Sequence, residues 1–355
     1  MSPMFVPGPV DVDPEVLIAQ TKPMLPHRSK EYEAVFHSAE NKARKLFGTQ
    51  NRVLISASSG TGLQEAAVRN FANHSVLGCT NGAFGDRWCQ VGEDNGKQVD
   101  RLSAEWGQPV TPEAVAAALQ QKEYEILTVV HNETSTGLQN PVAEIAAAAR
   151  EISPETLVCV DAVSSLGGAP IEMDAWGLDF VLASSQKALA LPPGLALGAV
   201  SDRALERAAS VKNRGWYFDL VRLEKSRLKN STPATSAVSL VYALDYQLDR
   251  ILAEGLENRF ARYQAMAERI YAWALERGFG LFTAEGYRSR TVTTIENLLE
   301  IDVAALNAFL LERGMRIANG YGTLKNKTFR IAHMGELTMA DVNALLSAID
   351  EFMGV

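Results

Sequence analysis

The sequence predicts an α/β protein: a large domain on a mostly parallel, doubly wound sheet, followed by a smaller C-terminal α/β domain. Two observations carry this. Through the first two-thirds of the chain, strand-sized apolar runs alternate with helix-patterned segments. From Pro233 that rhythm gives way to long helix and then to shorter strand and helix segments. No internal repeat or low-complexity tract interrupts the pattern.

The run "RVLIS" (residues 52–56) leads through a turn into the helical "TGLQEAAVRNFA". "HSVLGC" (74–79), "YEILTVV" (124–130), "TLVCVD" (156–161), "DFVLAS" (179–184) and "LALGAVS" (195–201) continue the strand series. Between them, "TPEAVAAALQQ" and "VAEIAAAAREI" place apolar residues at helical spacing, the first with a Thr-Pro start. Strand, turn and helix in repetition are the signature of parallel βαβ units. After Pro233 the chain reads as long helix, with a break near Gly255 as one option. "SRTVTTIEN", "DVAALNAFLLERG", "KTFRIAHMG" and "MADVNALLSAIDEFM" then alternate strand and helix, enough for a second domain of roughly 100 residues. The expected division is an N-terminal segment over 1–20, a large domain over 21–235, and a connecting helix with the small domain over 236–355.

Composition narrows the partners. The 355 residues are 47% hydrophobic and 21% charged, an ordinary soluble balance. The net charge of −8 argues against nucleic acid or an anionic membrane as partner, since both favour a basic surface. Cys79, Cys89 and Cys159 form no CxxC pair and lack histidine company, so neither a metal site nor a disulfide framework is expected. With no signal-like start and no uncharged apolar run of about 20 residues, a soluble cytoplasmic protein is expected.

In open α/β sheets ligands bind beyond the carboxyl ends of the strands, so the residues following each run are the candidates. In "SASSGTGLQEAA", Ser59, Gly60 and Thr61 sit between strand and helix, where glycine permits close backbone approach and the helix start offers free N–H groups to a phosphate. A plain glycine-rich connection reads equally well. "HNETSTG" supplies His131, Glu133, Thr134, Ser135 and Thr136 after a strand, or is simply a turn. Asp161 ends a wholly apolar run, where burial demands a cationic or N–H partner; a helix N-cap and a protonated ring nitrogen both qualify. Lys187 in "SSQKALALPPG" follows a core strand in apolar company. Burial disfavours an ammonium and makes its amine a nucleophile toward carbonyl carbon, although a lysine after a strand is commonly a surface residue. A phosphate cradle, a buried acid and a poised lysine at the strand ends of one sheet are what pyridoxal phosphate requires.

In the order and spacing of "PGPVDVDPEV", "SSGTGLQEAA", "NGAFGDRW", "HNETSTG", "VDAVSSLGG", "SQKALALPPG" and "FRIAHMG", the chain resembles the class-V, fold-type I pyridoxal-phosphate aminotransferases. This group includes alanine:glyoxylate and serine:pyruvate aminotransferases. The resemblance implies Lys187 as the Schiff-base lysine and proton shuttle, Asp161 at the pyridinium nitrogen, and Val163 and Phe84 on the two ring faces. It implies Thr134 at the ring edge or phenolic oxygen, and Ser59, Gly60, Thr61 and Gln186 at the phosphate. Arg330 would bind the substrate carboxylate; without the resemblance it reads as a surface arginine on a strand. Pro7 and Gly8 would line the substrate entrance.

The family works as a homodimer, and Thr232 in "LKNSTPAT" would complete the neighbour's phosphate site. A tyrosine expected at about Lys229 is missing, with Asn230 or Lys229 itself as substitutes. The implied activity passes an amino group from alanine or serine to glyoxylate or pyruvate, with aspartate a further donor. For aspartate, Arg28, Arg87 or Lys229 would meet the second carboxylate. A class-V lyase such as a cysteine desulfurase is the alternative, weakened because no cysteine follows Cys159 and Gln186, rather than histidine, precedes the lysine. A non-catalytic nucleotide-binding α/β protein is the other, weakened by the absence of a dinucleotide fingerprint.

Overall fold

The computed structural model describes residues 3–355, so the first two residues of the expected N-terminal segment lie outside the described residues. Met4–Phe5 (β1) precedes two helices, Pro14–Ala19 (α1) and Lys30–Leu46 (α2). The βα succession then runs Arg52–Ala57 (β2), Gly60–Phe71 (α3), Ser75–Thr80 (β3), Ala83–Asp94 (α4), Gln98–Ser103 (β4) and Pro112–Gln121 (α5). Ile126–Val130 (β5), the short strands Asn132–Glu133 (β6) and Leu138–Gln139 (β7), Val142–Ile152 (α6), Leu157–Asp161 (β8), Phe180–Ser184 (β9) and Leu195–Val200 (β10) follow. Every apolar run read from the sequence is a strand, to within about two residues at each end.

These strands form one seven-stranded sheet in the order β2-β10-β9-β8-β5-β3-β4. All are parallel except β10, which runs antiparallel to both of its neighbours. Five residues of β5, β8 and β9 each are buried throughout, as expected for a sheet covered on both faces. One layer packs α2, α5 and α6 against the sheet, and the opposite layer packs α3 and α4. Strand β4 was not legible in the sequence: it is an edge strand with no fully buried residue, so it carries charges where a core strand carries valines.

Asp202–Ser210 (α7) and Leu220–Arg227 (α8) close the large unit, and Val238–Glu254 (α9) and Leu256–Glu276 (α10) follow. The predicted break falls at Gly255, whose φ of +83° is a conformation glycine adopts without strain. Helix α9 buries Val241, Leu244, Leu248 and Ile251 in the core shared with α2 and the large sheet. The remaining elements are Gly280–Leu281 (β11), Val292–Glu296 (β12), Val303–Glu312 (α11), Arg316–Asn319 (β13), Thr328–Ala332 (β14) and Met339–Met353 (α12). They build a five-stranded sheet in the order β1-β13-β14-β12-β11, so the N-terminal segment contributes a strand to the C-terminal sheet. Among the described residues no helix is long and apolar enough to cross a membrane.

Candidate active site

The carboxyl ends of β5, β8 and β9 open into a cavity of about 310 Å³ lined by Ser59, Gly60, Thr61, Gln64, Phe84, Arg87, Asn132, Thr134, Asp161, Val163, Ser184, Gln186 and Lys187. Ten of the residues named from the sequence, Arg87 among them, therefore share one wall. Two wider hollows of about 770 and 750 Å³ open on the surface elsewhere, without a comparable lysine and buried acid.

Lys187 stands in a turn that leaves β9. Ala190 N–H bonds back to the Lys187 carbonyl at 2.8 Å, and Ala190 itself takes a φ of +52°, unusual for a residue with a side chain. Two side chains from the long helices hold the turn from behind. The buried Arg259 donates to Ala188 O at 3.1 Å and to Gly167 O at 3.0 Å, while Gln247 donates to Leu189 O at 3.1 Å. The Lys187 ammonium donates to Pro7 O, and its nitrogen lies 5.9 Å from the centre of the Phe84 ring. Burial, reinforced by the Arg330 charge, lowers its pKa to about 8.

Asp161 ends β8 fully inside the protein. Burial raises its pKa to about 6, against the opposing pull of two donors: Val163 N–H at 2.8 Å and Gln64 Nε2 at 2.7 Å. The partner the sequence demanded is thus an amide pair. Gln64 was missed by sequence reading, although the signal was present: it lies four residues after Gly60, one turn into α3, as a glutamine among Leu63, Ala66 and Ala67. Opposite, α3 begins at Ser59, whose side chain caps none of its own helix N–H groups. A Cβ at Gly60 would meet Val163 Cγ2 at 2.5 Å, so only glycine lets the helix start pack this closely on Val163.

Thr134 shares a 2.6 Å hydrogen bond with Ser164, and its carbonyl accepts from Arg330 Nη1 at 3.1 Å. Arg330 thereby crosses from β14 of the small sheet to the turn between β6 and β7. It is buried, and burial lowers its pKa to about 10. It is not a surface arginine, and it stands behind the cavity wall. Phe84 is the second residue of α4, and the amides of Phe84 and Gly85 both bond to the buried Glu133 carboxylate at 3.1 Å. That carboxylate also accepts from the Ser135 amide and hydroxyl, and burial raises its pKa.

Pro7 and Gly8 lie directly over Lys187. Gly8 has a φ of +109°, and a Cβ there would stand 2.5 Å from Lys187 Cδ and 3.1 Å from Gln186 O. Gly8→Ala is therefore expected to destabilise the protein by about 1–3 kcal/mol, through strained backbone and overpacking, in a chemical denaturation measurement. Unchanged stability would mean that this segment lifts freely away from the lysine. The chain does not bring Thr232 to its own cavity: the hydroxyl donates to Ala234 O at 2.7 Å and borders a separate small hollow with Ser56, Tyr217 and Ser236.

The residues present fit pyridoxal phosphate. The cavity offers an amine of lowered basicity, a buried carboxylate, an uncapped helix start and an aromatic ring. Its volume lies within the range of small-ligand pockets, about 300–1,000 Å³. Three buried polar atoms on its wall, Gln64 Oε1, Asn132 Oδ1 and Ser184 Oγ, have no partner among the described residues.

Comparison with known proteins agrees. The family model "Aminotransferase class-V" matches residues 16–345. The chain is 33% identical over 348 residues to an L-aspartate–glyoxylate aminotransferase of Paracoccus denitrificans, covering 96% of this chain and 88% of that one. The crystal structure of an alanine–glyoxylate aminotransferase from Nostoc sp. superposes with a TM-score of 0.93 at 31% identity, over 99% of this chain and 96% of that one. Relatives also carry other names: a protein of Synechococcus sp. called the small subunit of a soluble hydrogenase is 36% identical over 356 residues, covering 98% of this chain and 91% of that one. Since the family match spans nearly the whole chain, and the fold and cavity agree with it, the protein belongs to the class-V aminotransferases and is a pyridoxal-phosphate-dependent enzyme of that family.

Proposed function

We propose that the enzyme moves an amino group from a small L-amino acid to a small 2-oxo acid in two half-reactions at one site. Alanine, serine or aspartate is the donor, and glyoxylate or pyruvate the acceptor. One observation carries the assignment of chemistry: the Lys187 amine and the Asp161 carboxyl, both buried, share a cavity with the start of α3. The acceptor class draws support from relatives, since the Paracoccus and Nostoc proteins are both named for glyoxylate.

Pyridoxal phosphate, when bound, supplies the carbonyl carbon that takes up the amino group and the ring that spreads the electron pair left at the substrate Cα. Ser59, Gly60 and Thr61 at the start of α3, with Gln186, hold its phosphate. Phe84 and Val163 cover the ring faces, Thr134 meets the ring edge, and Asp161 keeps the ring nitrogen protonated. The Lys187 amine, uncharged when it acts, would take the proton from the substrate Cα and deliver it to the cofactor carbon that receives the amino group. Arg330 grips the substrate carboxylate with its planar fork, while Pro7 and Gly8 wall the entrance. The functional unit is a homodimer in which Thr232 of the partner subunit completes the phosphate site. Its position away from its own chain's cavity, in a hollow bordered by the exposed Tyr217, supports that arrangement.

The absence of any cysteine after Cys159 leaves a desulfurase without its sulfur acceptor, and the family assignment favours transfer over elimination. In the deciding experiment, purified holoenzyme is mixed with single amino acids and no oxo acid. A donor should abolish the visible absorption band, and glyoxylate should restore it; a band that persists with every amino acid overturns the reading. A second expectation follows from the lysine. Only the uncharged amine reacts, and its fraction grows as pH rises through the pKa. Uptake of pyridoxal phosphate by cofactor-free protein should therefore accelerate with a midpoint near pH 8, where the buried amine titrates, and not near the ordinary value of 10.5. Stopped-flow absorbance across pH checks this, and a midpoint near 10 contradicts it.

A further inference from the structure

Between the two sheets, Arg330 and Arg87 are guanidiniums that form no salt bridge with a carboxylate among the described residues. Arg330 donates from Nη1 to Thr134 O at 3.1 Å and from Nε to Asn319 O at 3.2 Å, while its Nη2 has no acceptor among the described residues. Arg87, in the second turn of α4, lies with its Cζ 4.9 Å from the centre of the Phe84 ring. Its Nη2 stands 3.5 Å from the Tyr321 hydroxyl. Tyr321, in the connection between β13 and β14, stands near both cations, with Arg330 Cζ 5.5 Å from its ring centre and the Phe84 ring 5.9 Å away.

The nearby acids are already engaged. Glu133 is saturated by the Phe84, Gly85 and Ser135 donors, and Asp161 by Val163 and Gln64. An exposed arginine needs no partner in the folded protein; what distinguishes Arg87 is that it borders the same cavity as Lys187. Its charge also acts on both Lys187 and Asp161, lowering the pKa of each. Arg28 and Lys229, the other cations considered from the sequence, are exposed and absent from the cavity wall.

We propose that Arg87 receives the second carboxylate of a dicarboxylic amino donor whose α-carboxylate is held by Arg330, so that a short acidic amino acid of the aspartate type is preferred over alanine and serine. The inference rests on the aminotransferase reading above and deepens its donor class. A planar fork matches a carboxylate, and removing a charge-assisted hydrogen bond typically costs a factor of about ten to one hundred.

The test compares holoenzyme with Arg87→Gln and Arg87→Lys in the donor half-reaction, using aspartate and alanine separately. Calorimetric binding of maleate and of propionate gives a second readout that involves no turnover. Wild-type enzyme is expected to react faster with aspartate than with alanine. Arg87→Gln should lower the aspartate-to-alanine rate ratio, and the maleate-to-propionate affinity ratio, at least about tenfold. Arg87→Lys, which keeps the charge and loses the fork, should recover part of both ratios. Wild-type preference for alanine, or ratios that Arg87→Gln leaves unmoved, overturns the proposal while the aminotransferase reading stands. Failure of both amino acids to consume the visible band, with normal maleate binding, would instead count against the donor reading on which it rests.

Discussion

Lys187→Ala is expected to lower the turnover number by at least about 10⁴-fold, the upper end of what a positioned proton-transfer group contributes, because in the proposed function the same amine also binds the cofactor covalently. The steady-state transamination rate with a saturating donor measures it. The fold should survive: the turn is held by carbonyl contacts from Arg259 and Gln247 to residues 188 and 189, which do not involve the Lys187 side chain. Circular dichroism on the variant separates loss of chemistry from loss of structure. Residual activity within about tenfold of wild type would move the catalytic role to another amine. That outcome would be hard to reconcile with the cavity, since no other lysine borders it.

The second large effect concerns the acid. Asp161→Asn is nearly isosteric and removes only charge, and the surroundings can accommodate it. Gln64 donates to the carboxylate through Nε2, while its own Oε1 has no partner, so turning the Gln64 amide lets it accept from the new asparagine. Turnover is expected to fall on the order of 10²–10³-fold, the range seen when a preorganised electrostatic contact is removed.

Stability should move the other way in cofactor-free protein, and the sign follows from linkage. The folded-state pKa of Asp161 is raised to about 6 from 3.8, so the folded protein binds the proton more tightly and loses stability as pH rises through that window. At pH 7.5 the carboxylate is charged, buried and without a cation in contact. Asp161→Asn should therefore melt no lower than wild type at that pH, and the difference should shift toward wild type at pH 4. Thermal melts of the two cofactor-free proteins check both points. A lower melting temperature for the variant at pH 7.5 would mean that the hydrogen bonds, and not the buried charge, dominate there.

Much of this architecture was legible because burial on both faces of a parallel sheet leaves a strong mark. Strands β5, β8 and β9 read as largely apolar runs; β8 and β9 end at the polar Asp161 and Ser184, and β5 runs directly into His131. The edge strand β4 left no such mark, since its faces are wet and its residues are those of a loop. The antiparallel direction of β10 was equally invisible, because a buried strand has the same composition in either sense.

By itself the sequence determined the alternation of strand and helix, the placing of Ser59 to Thr61, Thr134, Asp161 and Lys187 at strand ends, and the class of chemistry those residue types permit. These are local properties, set by periodicity and by the cost of a polar group after an apolar run. Tertiary structure alone decided the rest. It made Gln64 the partner of Asp161, brought Glu133 beneath the start of α4, and laid Pro7 and Gly8 over Lys187 from a segment 180 residues away in sequence. It also brought Arg87 to the Tyr321 hydroxyl and Arg330 to the Tyr321 ring. Such contacts depend on which distant segments the sheet order and the return of the chain place together, and hydrophobic periodicity carries no record of that choice.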